Sequence, residues 1–218
     1  GDPGELRRSA RFIEPQRHER YDGLAFGGSP MRHAFLTDEQ IDARALAHRR
    51  GLGFRDDRAI DFAKLMARLK ARYPNFTCER VGDDSLGEAE AQWDSQAKRL
   101  LITDTVFEGA DRGEGRALMA VAHAVGHALL GHEGTFNRSP AGSPAERFSP
   151  KLRSMEYQAR RYAAAFLIPD TPAVRALDAT GLSRRYHVSM SAAIVRHSEL
   201  RSGENASVSP SRPGGVAG

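Results

Sequence analysis

The stretch of the chain that most constrains its fold runs from residue 115 to residue 130, where an apolar stripe carries two histidines. The stretch has no proline and consists mostly of good helix formers. Its apolar residues recur at helical spacing, at Leu118, Val121, Ala122, Val125 and Leu129. His123 and His127 are four residues apart, so a helix places them on one face, one turn apart. The sequence therefore predicts a helix that holds a pair of imidazoles beside its buried stripe.

The two histidines have the spacing of the H-E-x-x-H motif of zinc proteases, but alanine stands in place of the glutamate. In such enzymes zinc acidifies a bound water, and the glutamate takes up the proton of that water. Ala124 has no group that can do this, so the rate should fall by about 10²–10⁴-fold or more. Zinc ligation does not use this carboxylate. Two origins of Ala124 stay open, namely an engineered substitution and a natural pseudoprotease.

A catalytic zinc site needs a third protein ligand, and two residues compete for that role. His132 is the nearer one, but an unbroken helix would place it about 140° around the axis from His127. Glu156 begins a second helical stretch, 156–168, which has its own apolar face and stops at Pro169. A carboxylate at the start of that helix can cross to the first helix. Glu156 is therefore the better candidate for the third ligand beside His123 and His127, and His132 stays the alternative.

Two segments of the chain, 116–132 and 156–169, resemble the ImmA/IrrE metallopeptidases. The pattern of that family is R-x-x-x-x-L-A-H-E-L-G-H-x-L-L-G-H, followed by E-x-E-A-N-x-F-A-A-x-L-L-x-P. The residues kept here are Arg116, Ala122, His123, Gly126, His127, Leu129, Leu130, His132, Glu156, Ala159, Ala163, Ala164, Leu167 and Pro169. The sequence departs from the pattern at Ala124 and Gln158, where the family has glutamate, and at Arg160, where it has asparagine.

The resemblance implies a fold, a cofactor and a role. The fold is α+β and zincin-like, a small antiparallel sheet packed on helices, with a C-terminal helix-turn-helix-like appendage. The cofactor is Zn²⁺, bound by His123, His127 and Glu156. Members of the family are regulators that cleave a helix-turn-helix repressor and so release a stress or mobile-element response. We therefore expect a zinc metallo-endopeptidase of transcription regulation, inactive or impaired through Ala124, whose protein substrate is such a repressor. The alternatives are a natural pseudoenzyme that binds a regulatory partner without cleaving it, and a DNA-binding module.

Composition and patterning divide the chain into four parts. Residues 1–35 are predicted to be a disordered basic arm, and residues 36–170 the metallopeptidase domain. Residues 171–200 are predicted to be a small helical appendage, followed by a disordered tail at 201–218 that is rich in serine, proline and glycine. The arm is either a solvated tail or a contact for a partner or nucleic acid, and its composition favours the solvated tail.

Ahead of the histidine helix, the patterns predict two helices and a small sheet. Thr37 opens a helix with a capping box that runs to Arg50, and a second helix spans 58–72. A strand is predicted at 76–81 and a hairpin at 88–93 and 99–103. The edge of this hairpin around 100–103 is predicted to hold an extended substrate by adding it to the sheet.

Beyond the histidine helix, the sequence predicts a long loop and then more helices. The loop, 133–150, carries turn signals and is either a lid over the site or a flexible connection. Residues 182–200 have the form of a helix-turn-helix, with the turn at 187–189. Reading DNA with the last helix needs exposed side chains, for which Arg196 and His197 are the candidates. A packing or partner-docking role is favoured over DNA binding.

Composition places the chain among globular proteins and favours a reducing compartment. Of its 218 residues, 40% are hydrophobic and 28% are charged. No apolar run approaches the length that crosses a bilayer, and no signal peptide is recognisable, so no membrane association is expected. Cys78 is the only cysteine and cannot form an internal disulfide, which favours the cytoplasm. The net charge of +4 is compatible with nucleic-acid contact without indicating it.

Overall fold

The computed structural model describes residues 36–133, 135–137 and 150–207 of the protein. The predicted arm at 1–35, most of the predicted loop and the end of the predicted tail lie outside the described residues. The described helices are α1 (Asp38–Gly51), α2 (Phe62–Arg72), α3 (Asp104–Asp111), α4 (Gly115–Leu129), α5 (Pro150–Leu167), α6 (Pro172–Arg175), α7 (Ala179–Tyr186) and α8 (Met190–Ser207). The described strands are β1 (Thr77–Val81), β2 (Ala91–Asp94), β3 (Arg99–Thr103) and β4 (Thr135–Asn137).

The first two helices begin where side chains cap them. Thr37 Oγ1 accepts a hydrogen bond from the backbone N–H of Gln40, and Gln40 Oε1 accepts one from the backbone N–H of Thr37. This arrangement is the predicted capping box. α2 begins at Phe62 rather than at residue 58, because the side chain of Asp61 caps it by accepting from the backbone N–H of Lys64.

The sheet is mixed, whereas the sequence predicted an antiparallel one. β2 and β3 form the predicted hairpin, with Trp93 opposite Leu100. β1 pairs with β3 in parallel, and β4 pairs with β2 in antiparallel orientation, which gives the order β1-β3-β2-β4. The connection after β1 explains why β1 pairs with β3 in parallel. A short 3-10 turn at Asp83–Leu86 carries the chain past one strand position, and β3 later fills that position.

The prediction that residues 100–103 form an open edge is wrong, because β3 has a hydrogen-bonded neighbour on both sides. Leu100 and Ile102 are fully buried. A continuous apolar run of this kind is typical of a strand inside a sheet. Within the described residues, the edges of the sheet are β1 and β4.

α4 is the central element of the core. Every residue from 120 to 129 is buried, so both histidines lie inside the protein. α3, α5 and the sheet pack around this helix. Its own sequence explains the burial, since small and apolar residues surround both histidines on every side of the helix. Among the described helices, none has the length and apolarity that spanning a membrane requires.

The C-terminal helices have the predicted form but are longer than predicted. Thr171 caps α6, and Ser189 Oγ accepts a hydrogen bond from the backbone N–H of Ala192 at the start of α8. His187 closes α7 in a left-handed conformation, with φ of 53°, and so turns the chain into α8. α8 continues to Ser207, so the first part of the predicted disordered tail is helical.

A buried arginine fastens α8 to the rest of the molecule. Arg196 is fully buried, and its Nε donates to the carbonyl oxygen of Ile168 at 3.1 Å. Its Nη1 donates to Asp42 of α1 at 3.0 Å and to Glu199 at 3.1 Å. Arg161 of α5 shares the same Asp42 carboxylate. The suggestion that Arg196 reads DNA is therefore wrong, because the side chain holds three helices together and is not exposed.

Candidate metal centre

α4 and α5 approach each other closely at Gly126. A Cβ placed on this residue would lie 3.0 Å from Cδ1 of Tyr162 and 3.1 Å from the carbonyl oxygen of Ala159. Such contacts are tighter than ordinary van der Waals packing, so glycine allows the two helices to come together here. Tyr162 and Ala159 both belong to α5, so α5 is the element that makes this close approach.

The three predicted ligands converge at this crossing. His123 Nε2 lies 3.0 Å from Glu156 Oε2, and His127 Nε2 lies 3.1 Å from Glu156 Oε1. The two imidazole Nε2 atoms are 3.1 Å apart. His123, His127 and Glu156 thus offer three ligand atoms to one point, as a metal ion requires.

The spacing of these atoms fits a tetrahedral metal ion. Ligand bonds of about 2.0–2.1 Å place neighbouring tetrahedral ligands about 3.3–3.4 Å apart. The observed separations of 3.0–3.1 Å are only slightly shorter, so a small outward movement of the side chains would accommodate the ion. Two imidazoles and one carboxylate are also a donor set that divalent metals use in hydrolytic enzymes. The residues present therefore fit a metal site.

Burial and mutual contact set the protonation of the ligands. The pKa of His127 is lowered to about 4, mainly by burial and to a smaller extent by the neighbouring His123, and Glu156 opposes this change. For Glu156, burial raises the pKa, but the imidazole nitrogens of His123 and His127 outweigh it and hold the value at about 2. Near neutral pH His127 is neutral and Glu156 is ionised, which are the forms that bind a metal.

His132 does not join the ligand cluster, contrary to the alternative that the sequence left open. Its Nδ1 lies 2.9 Å from Nδ1 of His127, on the side of that ring opposite to Glu156. The angle of about 140° predicted for His132 assumed an unbroken helix, but α4 ends at Leu129. The chain turns at Gly131, with φ of 71°, and brings the side chain of His132 back against the ring of His127.

Gln158 belongs to the same group of contacts and was missed as a functional residue. Its Oε1 lies 3.3 Å from His132 Nε2, and both side chains are buried. The sequence did contain a signal, since Gln158 follows Glu156 by two residues at a position that the family pattern marks. The pattern alone did not show which side chain it would contact.

Ala124 lies beside the cluster and brings no polar atom to it. The residue is 1% exposed and belongs to the hydrophobic core. The structure therefore places His123, His127 and Glu156 together, His132 and Gln158 behind them, and a methyl group at the position of the motif glutamate.

Comparison with known proteins gives one family match. A family model described as Peptidase_M78, the IrrE N-terminal-like domain, matches residues 85–198, which include β2, β3 and the helices of the cluster. The match confirms the predicted α+β, zincin-like fold class. Among solved structures, a Mycobacterium tuberculosis transcriptional regulator matches with a TM-score of 0.47 and 20% identity. The alignment covers 74% of this chain and 46% of the regulator, so the chain spans less than half the length of that protein. No curated protein matches the chain.

Proposed function

The chain belongs to the family with an IrrE N-terminal-like domain, and from this premise we propose that it is a zinc metallopeptidase of regulatory type, impaired by Ala124. The observation that carries the proposal is the convergence of His123, His127 and Glu156 within 3.1 Å of one another. A buried triad of this kind is costly to build without a cation, because two imidazoles and a carboxylate lose their hydration together.

We propose that the metal is zinc. Zinc favours tetrahedral sites with nitrogen and oxygen ligands, and a catalytic site keeps one position open beside three protein ligands. When bound, zinc supplies an acidified water and a polarised scissile carbonyl. The chain's own part is to orient the ligands, since α4 fixes both imidazoles on one face and α5 brings the carboxylate. The apolar surroundings of α4 keep bulk water away from the ligands.

Ala124 limits the rate at which a peptide bond can be cleaved. It directly follows His123, where the motif has the group that takes up the proton of the water and delivers it to the leaving amine. With a methyl group there, no proton acceptor stands at that position, and cleavage should be slower by about 10²–10⁴-fold or more. Metal binding should be unaffected, because Ala124 contributes no ligand atom.

The substrate proposed by resemblance is a helix-turn-helix repressor. The edge that receives it cannot be β3, which is paired on both sides. We place the substrate strand along β4, which pairs only with β2 among the described residues and follows α4 directly in the chain. An extended segment can add to such an edge through main-chain hydrogen bonds.

The natural pseudoenzyme is the second candidate function, and Ala124 is the observation that favours it. A protein that keeps the ligand set and lacks the proton acceptor is suited to binding a partner without cleaving it. The DNA-binding alternative receives no such support, because the arginine that was to read bases is buried.

The experiment compares the chain with Ala124→Glu and Ala124→Gln. Glutamine matches glutamate in size but cannot take up a proton, so it controls for the strain of filling a buried site. Each variant is loaded with zinc and incubated with a panel of helix-turn-helix repressors, and new N-termini are identified by mass spectrometry. We expect cleavage with Ala124→Glu alone. If Ala124→Glu binds one zinc per chain and still produces no new N-termini, the peptidase proposal is wrong and the pseudoenzyme is favoured.

A further inference from the structure

His132 contacts the metal ligand His127 from behind. His127 presents Nε2 to His123 and Glu156, and it presents Nδ1 to Nδ1 of His132 at 2.9 Å. Both imidazoles are buried, at 0% and 3% exposure, so this contact is shielded from solvent. A contact on the second nitrogen of a ligating imidazole fixes the orientation of the ring and its tautomer.

The end of α4 creates this contact. The backbone N–H of His132 donates to the carbonyl oxygen of His127 at 3.0 Å, and that of Gly131 donates to Ala128 at 3.2 Å. These two bonds, with Gly131 in the left-handed region at φ of 71°, form a Schellman motif. In this motif the side chains at the two ends of the longer bond approach each other, and here they are the two imidazoles.

Gln158 sets the direction of the hydrogen bonds. Its Oε1 is an acceptor only, so His132 Nε2, 3.3 Å away, is the donor. In a neutral imidazole the other nitrogen, Nδ1, then carries a lone pair and accepts from Nδ1–H of His127. With its proton on Nδ1, His127 would present the lone pair of Nε2 to a metal ion held by the cluster.

We propose that His132 and Gln158 are positioning residues that hold His127 in the ring orientation and tautomer needed for zinc. The proposal rests on the zinc site proposed above, but it assigns a role to two residues outside the ligand set. It also explains why α4 ends where it does, since one helix turn beyond His127 would carry residue 132 away from the ligand.

The first test removes the acceptor and keeps the ring. His132→Phe should weaken zinc binding by about 10–100-fold, measured by competition with a chromophoric chelator. His48→Phe is the matched control, because it also deletes a hydrogen-bonded imidazole, one whose described hydrogen bond goes to Tyr162 and not to a ligand. We expect the control to bind zinc as the unmodified chain does. If His132→Phe binds within twofold of the unmodified chain, the proposal is overturned. If the unmodified chain binds no zinc, the zinc site itself is wrong.

The second test acts through the helix end and decides the matter if His132→Phe does not fold. Gly131→Ala strains the Schellman motif, and Gly113→Ala strains the equivalent motif that closes α3, with φ of 79°. Neither added methyl group meets an atom within 4 Å, so the two variants carry the same kind of strain. Only Gly131→Ala should lower zinc affinity and shift the Co²⁺ absorption spectrum. Equal affinities and spectra in the two variants would refute the link between helix end and ligand.

Discussion

Replacing Gly126 by alanine tests whether the crossing of α4 and α5 controls both stability and the metal centre. The new methyl group would lie 3.0 Å from Cδ1 of Tyr162 and 3.1 Å from the carbonyl oxygen of Ala159. Neither neighbour is the free end of a flexible side chain. Ala159 offers backbone, and Tyr162 is fully buried, stacked on Phe166 and hydrogen-bonded to His48. The helices must therefore move apart by a few tenths of an ångström.

Two effects of opposite sign decide the size of the change. Alanine in place of glycine inside a helix stabilises by about 0.8–1.0 kcal/mol. Overpacking a well-filled contact costs about 1–3 kcal/mol. Because the neighbours of Gly126 are rigid, the upper half of that range applies. We expect a net loss of about 1–2 kcal/mol in the free energy of unfolding, together with weaker zinc binding as Glu156 withdraws from the two imidazoles.

Urea denaturation without metal measures the first effect, and chelator competition measures the second. Gly51→Ala is the control, because Gly51 is the last residue of α1 and an added methyl group there meets nothing within 4 Å. It should change the free energy of unfolding by less than about 1 kcal/mol and leave zinc affinity unchanged. Should Gly126→Ala be more stable than the unmodified chain and bind zinc equally well, the close contact of α4 and α5 would be refuted.

Three further outcomes are expected. Removing zinc with a chelator should lower Tm, since zinc at 100 times its Kd adds about 2.7 kcal/mol, and Glu156→Ala should make the Tm insensitive to zinc. Arg49→Met should lower the free energy of unfolding in urea by about 3 kcal/mol or more. The buried guanidinium donates to the carbonyl oxygens of Phe166, Leu167 and Arg55, and these would lose that donor. A loss below about 1 kcal/mol would contradict this prediction. Burial and then Arg44 lower the pKa of His48 to about 4, below the unfolded value of 6.5. The contribution of neutral His48 to the free energy of unfolding is complete above pH 6.5 and is lost as the pH falls from 6.5 towards 4. His48→Gln should therefore lose less stability between pH 7 and pH 5 than the unmodified chain. If both proteins lose the same free energy of unfolding between pH 7 and pH 5, this prediction is wrong.

The convergence of His123, His127 and Glu156 could be predicted in part, because part of it depends on local rules. A helical stripe beside His123 and His127 fixes their common face, and Glu156 lies on a second helix with an apolar face. The prediction that this helix begins at Glu156 is wrong, because α5 begins at Pro150. A metal site that joins two amphipathic helices needs little more than the period of 3.6 residues. The resemblance to the family supplied the remaining step, which is the choice of Glu156 as the third ligand.

The contacts of His132 could not be predicted in the same way. A position about 140° around the axis from His127 requires a continuous helix up to His132, but Gly131 ends α4 and reverses the direction of the chain. A glycine indicates that a helix can end there, yet the side chain that returns is known only once the cap bonds are formed. Gln158 was missed for a related reason, because its partner His132 lies in the turn that follows α4.

The sheet and the last helix show features that sequence patterns could not predict, because tertiary contacts decide them. Strand existence follows from apolar runs such as 100–102, but strand order depends on the connection at Asp83–Leu86, which has no periodic signal. Arg196 looked like an exposed cation in the sequence. Its burial arises from Asp42 and Glu199, and Asp42 is distant in the chain.

The order of the strands also has a consequence for refolding. β2 and β3 are joined by a short turn, so this hairpin can form on a timescale of about 1–10 μs. β1 pairs with β3 over a longer separation, and closing that longer loop carries a larger entropic cost. Until β1 arrives, β3 offers an unpaired edge with Leu100 and Ile102, a template for pairing with another molecule. Substitutions that weaken β1 should therefore appear first as concentration-dependent aggregation during refolding, while the histidines of α4 still find their native places.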